Sequence, residues 1–351
     1  MFARFGTRQQ WALLLIASIA VTATLRLAAL PGALLLGPMA TAIAFAIGGV
    51  KLAVPRRAYA VAQGIVGAMM AGAVTPEIVQ TFLQNWALFF SVVFATLMAS
   101  GVVGWAMSRW RVLPGTAAIW GSSPGAASAM VVMAEQFGAD VRLVAFMQYL
   151  RVLCVALSAA IIAHFAGASN THAATDWFAT PDPLRLGETL LLIGGGMVVG
   201  KLLRLPSGAL LGPLMIGAVL RGLGVIDLLL PPPLLLVAFA TIGWVVGLRF
   251  TAEILRTVAA KLPHMLASIL LLMGFCALIA WGLTHLLGID MLTAYLATSP
   301  GGADSIAIIA ASTNVDLGFV LAFQTVRLII VIVVGPIIAR RVARAMGHLP
   351  S

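Results

Sequence analysis

Charged side chains are scarce in this chain. Asp, Glu, Lys and Arg make up 9% of its 351 residues, whereas a soluble globular domain carries roughly 25%. Hydrophobic residues make up 62%, and the mean hydropathy is +1.08. So little polar surface excludes a water-soluble fold, and helices satisfy their own backbone hydrogen bonds in lipid. The sequence therefore predicts an all-α polytopic membrane protein.

Acidic residues are rarer still, with 11 Asp and Glu against 21 Lys and Arg, which gives a formal net charge of +10. Such an excess also occurs in nucleic-acid-binding proteins. Here, however, most basic residues stand singly or in pairs at the ends of apolar stretches, as the positive cytoplasmic loops of membrane proteins do. Arg340, Arg341 and Arg344, for example, follow the last apolar stretch. We expect no direct nucleic-acid partner.

Cysteine and histidine are few and are not spaced for metal or redox chemistry. Cys154 and Cys276 lie inside apolar stretches, and the five histidines are scattered. The sequence contains no HExxH, CxxC or P-loop motif. We therefore expect no enzyme, no metal site and no cofactor, with H⁺ or Na⁺ entering only as a coupling ion.

What the chain does have is an internal repeat, displaced by about 175 residues. The Ser-Pro-Gly sequence at 123–125 returns at 299–301, and the motif LPxxxLLGP that begins at Leu30 returns at Leu205. A D-x7-Q-x2-R motif also recurs, since Asp140, Gln148 and Arg151 return as Asp316, Gln324 and Arg327. Duplicated halves with helix-breaking residues at matching places are typical of membrane transporters.

Ten apolar stretches approach the roughly 20 residues that span a bilayer. They are about 11–29, 33–53, 58–75, 82–107, 141–166, 187–204, 208–224, 232–250, 262–287 and 317–339. Two further stretches, 114–136 and 291–312, contain the Ser-Pro-Gly sequences. The sequence thus predicts 10–12 membrane segments.

The distribution of charge indicates how those two further stretches are arranged. If each enters and leaves on one side, Arg185 and Arg221 are the only basic residues in the outer loops. Full crossing would place the acidic 167–186 loop inside, which the charge pattern disfavours. We therefore predict five transmembrane helices and one broken, re-entrant segment per repeat, with the second copy inverted. Repeat 1 covers residues 1–166, a linker loop covers 167–186 and repeat 2 covers 187–351, with both termini cytoplasmic.

The Ser-Pro-Gly sequences are the first candidate site. Proline lacks an N–H and glycine tolerates unusual backbone angles, so together they interrupt a helix and free polar backbone groups. At membrane depth such groups must be buried in protein or line a watery cavity. The predicted substrate-binding residues of the two breaks are Ser122, Ser123, Gly125 and Ser128, and Thr298, Ser299, Gly301 and Asp304. The alternative is a pair of kinks that serve packing only.

The D-x7-Q-x2-R helices supply the second candidate site. Gln148 and Arg151 share one helical face, as do Gln324 and Arg327, and the arginines lie roughly 15 Å into their helices. Charged residues at such depth usually face a bundle interior or a cavity. We expect these four residues either to bind a small anionic solute or to brace the breaks by donating to freed carbonyl groups.

The acidic residues near the breaks leave two interpretations open. Asp140 and Asp316 precede their helices and are predicted to be N-caps rather than ligands. Asp304 stands where the first copy has Ser128, so it is either a proton or cation site or a cap of the half-helix that follows. Glu135 also lacks an acidic counterpart and is a weaker candidate.

Each LPxxxLLGP motif is expected to start a helix at its first proline. Gly37-Pro38 and Gly212-Pro213 are then expected to kink or break that helix about one and a half turns later. Because small residues also allow helices to approach closely, packing is favoured here over a binding site.

Together these motifs resemble the AbrB family of bacterial membrane proteins, also described as the AbrB duplication-domain family. The resemblance covers nearly the whole chain. It implies a membrane protein associated with regulation of gene expression, and older descriptions assign some members an ammonia monooxygenase activity. A small, soluble, β-rich DNA-binding regulator shares the name, and this chain does not resemble it. The resemblance implies neither a mechanism nor a set of functional residues.

The leading functional hypothesis is a secondary transporter in which the two breaks line a mid-membrane site for a small anionic solute. The alternative is a membrane-embedded sensor that acts on transcription indirectly through a partner. The short inner loops offer little docking surface, which favours the transporter. Besides the solute and the lipid bilayer, a second copy in a homodimer is compatible with this architecture.

Overall fold

The computed structural model describes residues 6–110, 112–113, 117–123, 134–135, 138–165, 182–205 and 207–345. These residues form helices joined by turns, with no strand among them. In the first half the helices are α1 (Thr7–Leu27), α2 (Ala33–Ile47), α3 (Arg56–Gly72), α4 (Pro76–Gln84), α5 (Trp86–Arg109), α6 (Ala117–Ser122) and α7 (Val141–Phe165). In the second they are α8 (Pro183–Leu202), α9 (Gly208–Gly222), α10 (Pro232–Gly247), α11 (Ala252–Val258), α12 (Leu262–Leu287), α13 (Met291–Thr298), α14 (Ala303–Ala311) and α15 (Leu317–Ala345).

The repeated sequence forms the same local structure twice. Ala29 and Arg204, at equivalent positions, both adopt a left-handed conformation with φ of +52°. Gly32 (φ +71°) and Ser207 (φ +57°) do the same immediately before α2 and α9, and each of these helices has 15 residues. Such a conformation is uncommon outside glycine, so its recurrence at matched positions reflects the duplication.

The prolines of the LPxxxLLGP motifs do not break their helices. α2 continues through Pro38 and α9 continues through Pro213, although each proline removes one backbone hydrogen bond. Both prolines are buried, as are the leucines and glycines before them. The packing interpretation therefore describes these motifs, and a break is not observed.

Six helices form a first group in which the two halves interlock. α2 packs against α10 and α3 packs against α9, while α1 and α8 pack on the outer sides of α2 and α9. The crossed contacts are equivalent: a Cβ added at Gly67 would lie 2.3 Å from the Leu210 carbonyl oxygen, and one at Gly243 would lie 2.7 Å from the Leu35 carbonyl oxygen. Glycine is thus required where backbones touch.

A second group contains α5, α6 and α7 from the first half and α12, α13 and α15 from the second. α6 lies between α5 and α7, and α13 lies between α12 and α15. α5 joins the halves, because the Phe89 ring stacks on that of Phe323 with centroids 3.9 Å apart. α14 packs against α7 and α15 and also against α2 and α3 of the first group, so it lies at the boundary between the groups.

Several helices are suited to a bilayer. In the described part of the chain, α1, α5, α7 (to His164) and α12 are long and apolar enough to cross a membrane, and α10 with α11 would make a fifth span bent by 50°. Residues 33–47, 208–222 and 317–331 form shorter apolar helices. Large apolar side chains such as Phe94, Leu271 and Trp281 are exposed, as lipid contact requires. The chain is a multi-pass, membrane-type helical protein.

Some predicted boundaries differ from the observed ones. The stretch predicted at 82–107 is interrupted at Asn85, which separates α4 from α5. α8 begins at Pro183, inside the predicted 167–186 linker, because the Asp182 side chain accepts a hydrogen bond from the Leu184 N–H at 3.0 Å and caps the helix.

Candidate functional site

The second Ser-Pro-Gly sequence separates two half-helices. α13 ends at Thr298 and α14 begins at Ala303. Ser299 and Gly302 have extended backbone angles, with ψ of +139° and +136°, so the helical hydrogen bonds stop between them. Thr298 and Ser299 are buried. The interruption therefore lies inside the protein, where its free backbone groups need protein partners.

Arg327 and Gln324 of α15 supply those partners. Nη1 of Arg327 donates to the Ser299 carbonyl, and its Nη2 donates to the Gly301 carbonyl at 2.9 Å. Nε2 of Gln324 donates to the Leu296 carbonyl at 2.7 Å. Its Oε1 accepts from Nη2 of Arg327 at 2.5 Å. Both side chains are almost completely buried, with 4% and 0% exposed.

The end of α6, which leads into the first Ser-Pro-Gly sequence, is supported in the same way from α7. Nη1 of Arg151 donates to the carbonyl oxygens of Ser122 and Ser123, each at 3.0 Å. Nε2 of Gln148 donates to the Trp120 carbonyl at 2.8 Å and to the Ser123 carbonyl at 3.0 Å. Oε1 of Gln148 accepts from Nη2 of Arg151 at 2.6 Å. The glutamine and arginine of both repeats therefore act as one hydrogen-bonded pair.

These pairs bind the C-terminal ends of α6 and α13. A helix C-terminus leaves its last carbonyl groups without partners and carries a partial negative charge, and a guanidinium group satisfies both. The observed contacts are those of the bracing alternative. Among buried side-chain atoms of the described residues, Nε of Arg151 is the one without a hydrogen-bond partner. The predicted site residues Gly125 and Ser128 lie outside the described residues.

A hydroxyl group also ties each break to the helix before it. Oγ of Ser100 in α5 donates to the Ser122 carbonyl at 2.5 Å. At the equivalent pair of positions, Oγ1 of Thr298 donates to the Cys276 carbonyl in α12 at 3.1 Å. Ser122 and Thr298, which were predicted to contact solute, thus take part in hydrogen bonds within the protein.

The aspartates that begin the two bracing helices are N-caps. Oδ1 of Asp140 accepts from the N–H groups of Arg142 at 2.9 Å and Leu143 at 3.2 Å. Oδ1 of Asp316 accepts from the Phe319 N–H at 2.9 Å. Both interactions satisfy N–H groups that the first turn leaves free, as predicted.

A small polar cavity lies at the boundary between the two groups of helices. Its volume is about 30 Å³, which is room for roughly one or two water molecules. Polar side chains from four parts of the chain line it: Tyr59 and Gln63 of α3, Tyr149 of α7, Ser207 before α9, and Asp304 and Ser305 of α14. Nε2 of Gln63 donates to the hydroxyl oxygen of Tyr59 at 3.2 Å.

Asp304 is the carboxylate of this cavity and is half-buried in the first turn of α14. Its Oδ1 accepts from the Ser305 N–H at 2.8 Å, which stabilises the helix start. Oγ of Ser305 also donates to Oδ1 at 3.4 Å, and no ion pair among the described residues includes Asp304. Glu135, the other unmatched carboxylate, is exposed and does not line the cavity.

Comparison with known proteins identifies the family to which this sequence belongs. A family model described as "Transition state regulatory protein AbrB" matches residues 34–343, which is most of the chain. The chain belongs to the AbrB family.

Two relatives in curated collections differ in how closely they match this AbrB-family chain. "Putative regulator AbrB" of Escherichia coli (strain K12) is 45% identical over 334 residues, which cover 94% of this chain and 96% of the relative. "Uncharacterized protein YhjN" of Bacillus subtilis (strain 168) is 26% identical over 314 residues, which cover 80% and 77%. No solved structure matches.

Sequence reasoning missed the cavity residues contributed by the first group of helices in this AbrB protein. Two of the three tyrosines of the chain, Tyr59 and Tyr149, meet there, and Gln63 is a polar residue within an apolar helix. The scarcity of tyrosine and the polar Gln63 were visible in the sequence, whereas their meeting at one cavity was not. Within the described ranges, no group of three His, Cys, Asp or Glu residues is placed to hold a metal ion.

Proposed function

We propose that this AbrB-family protein is a secondary transporter of the bacterial inner membrane that moves a small, anionic solute by alternating access. The observation that carries the proposal is the pair of short helices, α6 and α13, that end at the two Ser-Pro-Gly sequences and are each held from inside by a buried glutamine and arginine. Transporters of several folds place discontinuous helices at the substrate site near the membrane midplane. A protein that serves only as a structural anchor has no need of two such breaks.

The two groups of helices support a mechanism for alternating access. The first group consists of helices that cross each other through glycine-to-carbonyl contacts, which favours a single rigid arrangement. The second group contains both breaks and meets the first at the Asp304 cavity. A cavity of about 30 Å³ is too small for a metabolite, so solute would enter when the groups move apart.

The charge of the buried residues favours an anion. Arg151 and Arg327 are buried, and no carboxylate is paired with either among the described residues. With Asp304 they leave an excess of positive charge, which acts over a longer distance in the low dielectric of a membrane protein than in water. Their Nη1 and Nη2 atoms bind oxygen atoms of the protein, so we infer attraction mainly through the electric field rather than direct hydrogen bonds to the solute.

Uptake measurements test this function. The purified protein would be reconstituted in liposomes and supplied with radiolabelled small mono- and dicarboxylates, with neutral and cationic amino compounds for comparison. We expect flux of carboxylates above that of empty liposomes, and competition among carboxylates only. A monodisperse, correctly inserted protein that moves none of these compounds would contradict the proposal.

The inverted arrangement of the two repeats is part of the proposal and has its own test. Single cysteines at Asp140 and Asp316, introduced after Cys154 and Cys276 are replaced by alanine, would be labelled with a membrane-impermeant maleimide in intact cells. Inversion requires that one site reacts only from the periplasm and the other only after lysis. Labelling of both from the same side would exclude it.

A sensor is the second candidate function, because the Escherichia coli relative is named as a regulator. Comparing wild type with a variant that has lost transport separates the two. Expression changes that disappear with transport would follow from solute movement. Expression changes that persist in the transport-deficient variant would favour a sensor.

A further inference from the structure

The carboxyl group of Asp304 is the unusual member of its cavity. It lies at the boundary between two groups of helices in a membrane-type protein, and an unpaired charge inside such a helical bundle is costly. The charged and titratable groups around it are Tyr59 from α3, Tyr149 from α7, and Arg249, whose guanidinium lies 5.6 Å from the centre of the Tyr149 ring. None of them forms an ion pair with Asp304 within the described structure.

Besides apolar residues such as Val152 and Leu328, the rest of the lining supplies oxygen atoms rather than positive charge. The hydroxyl groups of Tyr59, Tyr149, Ser207 and Ser305 and the amide of Gln63 surround the cavity. Oδ1 of Asp304 accepts a hydrogen bond from the Ser305 N–H, and the Asp304 residue lines the cavity. A volume of about 30 Å³ suits a water-sized occupant, and oxygen ligands suit a hard cation.

From this geometry we propose that Asp304 binds a monovalent cation, H⁺ or Na⁺, in the cavity between the two groups of helices. The bound cation neutralises the carboxylate, so that the positive charge of the buried arginines is available to attract an anionic solute. The cavity is lined from both groups, since Tyr59, Gln63 and Ser207 belong to the first group and Tyr149 to the second. Occupancy would therefore depend on how the groups sit together. Binding of the cation does not depend on the proposed transport function. Only its coupling to solute movement rests on that function.

The test uses the whole chain in proteoliposomes on a sensor for charge movement, without any solute. NaCl is exchanged for choline chloride at constant pH in one arm, and pH is stepped from 8.5 to 6.5 without Na⁺ in the other. We expect a charge displacement in at least one arm for the wild type and its loss in Asp304→Asn, which keeps an oxygen for the Ser305 N–H. Glu253→Gln, which removes an exposed carboxylate, is the matched control and should retain the displacement.

The two arms identify the cation, and either response supports the proposal if it requires Asp304. A displacement that persists in Asp304→Asn overturns it, as does a folded wild type that responds to neither exchange. Should Asp304→Asn fail to fold, the wild type can be treated with dicyclohexylcarbodiimide, a reagent for carboxyl groups in apolar surroundings. Labelling of Asp304, read by mass spectrometry, should rise at low pH or fall with Na⁺. Labelling that changes with neither contradicts the proposal.

The outcome is distinguishable from failure of the transport proposal. An Asp304-dependent displacement together with no flux in the carboxylate panel would leave a cation site in a protein that does not transport those solutes. Flux that is equal in wild type and Asp304→Asn, with no displacement, would remove the cation site and leave the transport proposal in place.

Discussion

The two groups of helices solve the same packing problem in opposite ways. In the first group, glycines let backbones touch: a Cβ added at Gly212 would lie 1.9 Å from the Gly196 carbonyl oxygen. In the second group, α6 and α13 stop inside the protein, and buried arginines bind the carbonyl groups at their ends. The first arrangement needs glycine, the smallest residue. The second needs arginine, which has one of the largest side chains. One duplicated sequence therefore forms a first group that is tightly packed through glycines and a second group that is held together by buried polar contacts.

The largest expected effect comes from removing a brace. Arg327→Met should leave the Ser299 and Gly301 carbonyl groups buried without donors, at a cost of about 3 kcal/mol or more. We expect a large loss of monodisperse protein in detergent and a lower melting temperature by tryptophan fluorescence. Arg327→Lys, which keeps charge and some donors, should fall in between. A Met variant that is as stable as wild type but inactive would instead favour direct solute binding by Arg327.

A smaller effect is expected from a methyl group between α8 and α9. Gly212→Ala should separate these helices and cost about 2–3 kcal/mol, because the facing atoms are backbone and do not yield as a side chain would. Gly195→Ala on the neighbouring helix is the control, since an added Cβ there has no atom within 4 Å. Melting temperatures of the two variants should differ clearly. Equal values would show that the first group is more adaptable than its contacts indicate.

The smallest effect is expected at the caps, where the two halves should behave alike. Asp140→Ala and Asp316→Ala each remove a side-chain acceptor from a first helical turn, worth about 1 kcal/mol. The melting temperature should fall modestly and to a similar extent in both, with Asn at either position restoring most of it. A much larger loss in one would mean that its aspartate has a role beyond the cap.

Much of the candidate site follows from sequence, because its parts are local. The break at Pro300, the N-caps and the helical face shared by Gln324 and Arg327 depend on residues close together in the chain. The cavity does not, since helical periodicity identifies the face on which Gln63 lies but not which helix covers it. The crossed packing of α2 on α10 and α3 on α9 is hidden for the same reason.

The helix interruption expected at Pro38 and Pro213 is not observed, and the reason again lies in tertiary packing. A proline inside a helix removes one hydrogen bond, but the buried neighbours on both sides hold the chain in its helical path. At residues 299–302 the sequence adds two glycines to the proline, and the buried arginine and glutamine replace the missing backbone partners. Proline and glycine thus interrupt a helix here only where side chains from other helices provide hydrogen-bond partners for the freed backbone groups.

The shortness of α2 and α9 has a consequence for the membrane barrier itself. Each has 15 residues, against 21 and 20 in the neighbouring α1 and α8. At 1.5 Å per residue they rise about 22 Å, whereas the hydrocarbon core is about 30 Å thick. α2 is mostly buried and α9 is about half buried among longer helices, so we expect the missing turns to leave recesses in the protein surface. Water entering those recesses would shorten the insulating layer, and the membrane potential would then fall across a thinner section of the protein than of the bilayer around it.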